Sequence, residues 1–390
     1  MLMRCIVAGA ATMSLLSCDH SDAFTGGLPP GQEGPFVASA PARLTFNDGT
    51  DQVASFSPDG GSLFYSFQPF KPLPPAVSSR PDTDRCIGIM PAAGGTRSQI
   101  CRTDAAGLDS TDAFEQATVG SDGALLYAAF ASRVGSPTVN TGTLRLATVA
   151  APYPGTVLLR TPASIGGFSF DHIGRIRWVS TTTFLVQVRD QGIFGNPFNE
   201  IKLDTFPLGI GILRGELNGG SATFSAIPGT DSASGFDLSS GKDSIYFTRL
   251  DDARLYRLPV AGGTRQVIYT ETGANRRILR DPVRIGNRIA AVGQDYQQRE
   301  TFRISPPEPP YGLKPGSVVK AIGPGDGVST TLIPMLLPNS AQGTLAAFGA
   351  LTASPDGCRL IVEHRVVYLF SYTTDLYSYC LGAPGQCSCG

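Results

Sequence analysis

The tetrapeptide Ser57-Pro58-Asp59-Gly60 returns near the other end of the chain as Ser354-Pro355-Asp356-Gly357. Proline presets φ for the second position of a tight turn, aspartate bonds the local backbone, and glycine completes the reversal. Apolar runs flank both copies, so each reads as a hairpin between two strands. A second turn sequence also recurs, as Pro91-Ala92-Ala93-Gly94-Gly95-Thr96-Arg97 and as Pro259-Val260-Ala261-Gly262-Gly263-Thr264-Arg265. Two different turns, each repeated at long range, mean that the chain is assembled from copies of one small unit.

Weaker copies fill the interval. Ser121-Asp122-Gly123 before an apolar run at 124–130 opens a second unit, 180–183 joins the runs of a third, 236–241 precedes 243–248 in a fourth, and 285–287 turns a fifth. First turns near residues 59, 122, 181, 240, 287 and 356 suit four-stranded blades with loops of unequal length. The expected fold is all-β, a β-propeller of six four-stranded blades. Seven is the alternative count, because the third and fifth units lack Pro-Asp-Gly. An open ring leaves sheet edges unpaired. The last unit shows no fourth strand of its own, so the segment at 43–46 is expected to supply it, pairing the N- and C-terminal parts of the propeller.

These repeats resemble the TolB-type propeller repeat, a relative of the WD repeat. The resemblance is carried by Leu44-Thr45, Asp51, residues 56–60, Leu63, and the Gly-Gly-Thr triplets at 94–96 and 262–264. It spans roughly 43–381, is sharp in the first, fourth and last units, and implies an exported propeller.

The N-terminal residues point the same way. Arg4, an apolar stretch over 5–16 and a small residue before Cys18 describe an export signal too short to cross a membrane as a mature helix. Leu15-Leu16-Ser17-Cys18 resembles a bacterial lipobox, which implies a signal at 1–17, acylation of Cys18 and anchoring at the cell envelope, facing the periplasm or the exterior. The expected order is then a flexible tether at 18–42, the propeller at 43–381 and a cysteine-containing tail at 382–390. Six cysteines remain for disulfides in an oxidising compartment: Cys86, Cys101, Cys358, Cys380, Cys387 and Cys389. Cys86 and Cys101 stand equally far from the Pro91–Thr96 turn, directly opposite across one hairpin. Cys358 and Cys380 fall at the same end of the last blade and form the second expected pair, leaving Cys387 and Cys389 to bridge each other or exchange with Cys380.

Composition excludes some functions. A formal charge of −1, 16% charged residues and no Lys/Arg run give no face for nucleic acid, and a monomer is expected. No Gly-x-Ser-x-Gly elbow exists, and the three histidines, His20, His172 and His364, lie in separate units, so neither a serine hydrolase nor a histidine-rich metal site is expected. No cofactor is called for, Ca²⁺ on carboxylates being the exception kept open. Asp51, Asp122, Asp231 and Asp356 read as turn and strand-end residues.

In an up-and-down blade the short first and third turns share one face and the second loops share the other. The long second loops, 68–85, 132–142, 190–198, 296–315 and 365–374, therefore gather opposite the Pro-Asp-Gly turns. Binding residues concentrate on such loops, which makes Phe70, Lys71, Arg80, Arg133, Phe194, Phe198, Tyr296, Arg299, Tyr311 and Lys314 the candidates. The expected function is non-enzymatic: an envelope lipoprotein whose propeller holds a protein or glycan partner on its loop-rich face. The alternative is a propeller hydrolase or lyase with carboxylates in the central channel.

Overall fold

The structure, a computed structural model, describes residues 41–45, 51–67, 86–101, 110–133, 141–152, 155–190, 208–249, 252–272, 277–295, 317–325, 327–334, 345–367 and 372–381. Six four-stranded antiparallel sheets follow one another along the chain, each numbered here as a blade. Their innermost strands are Asp51–Phe56, Ser110–Val119, His172–Trp178, Ala233–Leu238, Arg277–Ile285 and Leu345–Ala353. Each of these strands packs beside the innermost strands of both neighbours, and the sixth returns against the first. The fold is a closed six-bladed β-propeller.

Hydrophobic patterning explains why the units stack. Blades lie face to face, so their second strands are covered on both sides and read as continuous apolar runs, with five of six positions buried in both Ser62–Phe67 and Ser244–Arg249. The buried side chains divide into six clusters, one at each junction between blades. Phe64, Ile87, Phe114 and Tyr127 join the first two blades. Leu126, Phe130, Trp178 and Phe184 join the second and third, and Ile361 and Leu376 meet Phe56 and Tyr65 where the ring closes. Each such side chain contributes about 1.5–3 kcal/mol by burial, so the ring is held by many similar interfaces rather than by one core. A buried ion pair supplements the junction between the fourth and fifth blades: Lys320 meets Glu271, whose Oε2 also accepts from the Tyr269 hydroxyl at 2.6 Å.

Closure takes the expected form. Ala42 and Arg43 pair with Ser378 and Tyr377, giving the last blade its outer strand. The Leu44 N–H donates to the Leu376 carbonyl at 2.8 Å, and Arg43 Nη2 reaches Asp375 Oδ2 at 2.9 Å. The strand begins one residue earlier than expected and ends at Arg43, and Phe46 lies outside the described residues.

Two features depart from the sequence reading. The hairpin of the last blade runs on through Arg365↔Thr374, Val366↔Thr373 and Val367↔Tyr372, so the excursion expected over 365–374 shrinks to the residues between Val367 and Tyr372. Between the second and third blades lies an extra hairpin, Ala163–Ile165 with Phe168–Phe170. It packs on the third blade, where the Phe168 ring occupies the space a Cβ at Gly211 would need. The alternating apolar residues of 163–170 carried that signal, but no repeat called for a strand pair there.

Candidate functional site at the channel mouth

Every innermost strand breaks register at the same depth. The bulges fall between Gln52 and Ser55, Glu115 and Thr118, Ile173 and Ile176, Ala233 and Gly235, Arg280 and Val283, and Phe348 and Leu351. A bulge re-aims the side chains beside it, and here six of them bend six strands inward around one axis. Gln116 and Asp281, both at bulges, take φ of 58° and 50°, and Pro282 tolerates its place because a bulge residue has no ladder bond to donate.

At this level one side chain spans the channel. Arg175, buried in the third blade's bulge, donates from Nη1 to the carbonyls of Phe236 and Pro282, both at 3.2 Å. Its Nη2 donates to Asp281 Oδ1 at 3.3 Å and to the Leu351 carbonyl at 3.1 Å. One guanidinium thereby ties the third blade to the fourth, fifth and sixth. Burial, followed by the nearby charge of Arg177, lowers its pKa to about 10, with Asp281 and Asp237 opposing the shift. It stays charged at neutral pH.

A cavity of about 340 Å³ opens on the short-turn face, lined by residues of all six blades. The innermost strands contribute Ser55, Thr118, Arg177, Asp237, Arg284 and Thr352 to its polar lining. Their sequence neighbours Phe56, Val119, Trp178, Leu238 and Ile285 are buried in the clusters between blades, and the first four also border the cavity. Arg177 Nε donates to Asp237 Oδ1 at 2.9 Å, and Asp237 Oδ2 accepts the Arg284 N–H at 2.9 Å. The Arg284 guanidinium donates to the carbonyls of Gly286 and Pro355 at 3.1 and 2.8 Å. Asp237 and Asp281 are thus both engaged by arginines.

The opposite end of the channel carries a second polar group. His172 stacks on Phe130 with ring centroids 4.1 Å apart, and its Nε2 is 3.9 Å from Glu115 Oε2. Gln187 donates to the Ala233 carbonyl at 2.7 Å and accepts from Arg189 at 2.7 Å. Among the described residues no three His, Cys, Asp or Glu converge as a metal ligand set.

The residues named from sequence fall into three groups. Of the loop candidates, Phe70, Lys71, Arg80, Phe194, Phe198, Tyr296, Arg299, Tyr311 and Lys314 lie outside the described residues, as do Cys18, Cys387 and Cys389, and Arg133 is placed only as the last residue of its strand. Cys86 and Cys101 form the expected disulfide, Cα–Cα 4.6 Å, across the expected hairpin. Cys358 and Cys380 are both disulfide-bonded. The Leu381 N–H donates to the Cys358 carbonyl and Arg359 pairs with Cys380, so the two cysteines point to opposite faces of the sheet and are poorly placed to bond each other. The acids behave as turn and end residues: Asp122 caps the Ala124 N–H, Asp356 the Cys358 N–H, Asp231 pairs with Arg249 and Arg265, and Asp51 opens its strand fully buried. Arg175, Arg177, Asp237 and Arg284 were missed. Gly174 beside Arg175 and the strand-internal Pro282 were the available signals, since both residue types mark bulges.

No protein-family model matches the chain, and no curated protein does. Among solved structures it is similar to a gluconolactonase of Xanthomonas campestris, at 11% identity over 91% of this chain and 100% of that one, with a TM-score of 0.49. A calcium-binding protein of Agrobacterium tumefaciens, regucalcin, is similar at 11% identity over 90% and 95% of the two chains, with a TM-score of 0.47. An oligogalacturonate lyase in complex with manganese is similar at 12% identity over 89% and 94%, with a TM-score of 0.44. The likeness is one of fold.

Proposed function

We propose that the chain is a binding propeller of the cell envelope, with repeats of TolB type, held by lipid on Cys18 and engaging a protein or glycan partner through its loop-rich face. One observation carries the reading against its enzymatic rival. A hydrolase or lyase working from the channel needs carboxylates free to take or give a proton or to hold an ion. Asp237 and Asp281 are instead committed to Arg177 and Arg175. A carboxylate already bonded to a guanidinium has fewer lone pairs left to hold a substrate proton or an ion. The closed ring, with similar apolar junctions at every blade, supports a rigid platform that presents loops.

The test uses the full-length lipidated protein, detergent-extracted and crosslinked in cells. A partner captured by the native protein is expected to be lost with the double substitution Arg299→Glu and Lys314→Glu in the segment 296–315 and retained with Lys242→Gln on the short-turn face. Cys18→Ser is expected to release the protein from membranes. Capture that ignores the loop face, or turnover of a glycan or lactone that depends on Asp237, overturns the proposal.

A further inference from the structure

The channel mouth on the short-turn face has a use distinct from the loop-rich face. Its cavity, about 340 Å³, is within the range of small-molecule sites. Three cations line it, Arg177, Lys242 and Arg284, against one carboxylate, Asp237. That carboxylate is doubly engaged, by Arg177 Nε and by the Arg284 N–H. Arg177 uses Nε and Nη1 on Asp237 and the Ile176 carbonyl, which leaves Nη2 with no acceptor among the described residues. Lys242, exposed on the fourth blade's turn at φ 56°, has its backbone fixed by a 2.9 Å bond to the Ser239 carbonyl, while its ammonium contacts no described acceptor.

Nearby acids do not cancel this charge. Asp59, Asp122, Asp243 and Asp356 sit on the turns of the same face, but none lines the cavity. Each faces its own turn: Asp59 accepts from Ser57, Asp122 from the Ala124 N–H, Asp243 from Ser239 and Asp356 from Ser354. The remaining polar lining is hydroxyl, including Ser55, Thr118 and Thr352 on the strands.

We infer that this mouth binds one small oxyanion-bearing molecule, a carboxylate or phosphate ester whose charged group meets Arg177 Nη2 and the Lys242 ammonium while its hydroxyls meet the serines and threonines. Charge-assisted bonds from a fork and a point charge are the strong ones, and a recess walled by protein weakens them less than open water does. The site needs no metal and no acid–base group. It therefore stands or falls apart from the loop-face reading.

Calorimetric titration of the purified full chain with inorganic phosphate, glucose 6-phosphate and glucuronate, with glucose as the uncharged control, tests it at low and high sodium chloride. The expected result is one saturable site per chain for at least one of the three anions, weakened by salt and absent with glucose. Which anion binds identifies the source of the charge. Lys242→Gln, on an exposed turn, is expected to weaken binding at least five-fold with an unchanged melting temperature, and Arg177→Gln to abolish it. The inference is overturned if none of the anions saturates a site, or if binding survives Lys242→Gln undiminished in a protein that melts normally.

Discussion

His364 is a neutral imidazole in the folded protein at pH 7. Its ring is stacked on Tyr377 at 3.9 Å, meets Phe348 edge-on at 5.2 Å, and has the Tyr379 hydroxyl 2.9 Å from Nε2. Burial lowers its pKa from 6.5 to about 3. The unfolded chain takes up a proton near pH 6.5 that the folded chain refuses until near pH 3, so stability is complete above that window and falls as pH drops through it. The expected slope is at most about 1.4 kcal/mol per pH unit for this one group. Urea unfolding from pH 7 to pH 4 measures it, and His364→Gln, less stable at pH 7, is expected to lose that component of the slope. Nothing in the sequence distinguished this buried aromatic neighbour from a ligand. His364 stands two residues after Val362, past Glu363, and its environment is set by the adjacent strand, which supplies Tyr377 and Tyr379.

At the scale of the element, the Pro-Asp-Gly turn was legible because its chemistry is local. Ser57 and Ser354 each anchor the turn by bonding both the following aspartate and the backbone five residues on. The glycines do more than turn. Gly357 sits at φ 74°, and a Cβ there would stand 2.2 Å from the Gly286 nitrogen in the neighbouring blade's turn. Gly123 has nearly the same φ, 80°, with nothing within 4 Å of the added atom. Gly123→Ala is expected to cost about 1 kcal/mol for the backbone conformation alone. Gly357→Ala is expected to cost about 3 kcal/mol, because conformation and collision add. Unfolding midpoints at constant m-value compare them, and equal costs contradict the close approach of the two turns. The bulges were not legible in the same way. Different residues occupy each, from Gln116-Ala117 and Asp281-Pro282 to the single Ser234, and what they share is position around a common axis rather than composition. The hairpin at 163–170 escaped for the opposite reason: it is local but belongs to no repeat.

For the whole molecule, closure was legible from what the last unit lacked, and Ala42–Arg43 supplies it. Blade number followed from turn spacing even where the third and fifth turns had lost Pro-Asp-Gly, since each interface needs a complete sheet to cover its neighbour. The weight placed on one face was incomplete. The short turns do punctuate the blades, yet Ser57, Pro58, Ser354 and Pro355 also line the cavity at the channel mouth. The chemistry there comes from four innermost-strand residues, Arg175, Arg177, Asp237 and Arg284, drawn from three blades and brought together only by the ring. Together they make this end of the channel a place where Asp237 and Asp281 are paired with arginines and cations are left over. Calorimetric titration of the metal-stripped protein with Ca²⁺ and Mn²⁺ tests it most directly, with Asp237→Asn and Asp281→Asn as the comparison. The expected result is no ion binding that either substitution removes; one ion per chain, lost on Asp237→Asn or Asp281→Asn, contradicts the pairing of these acids.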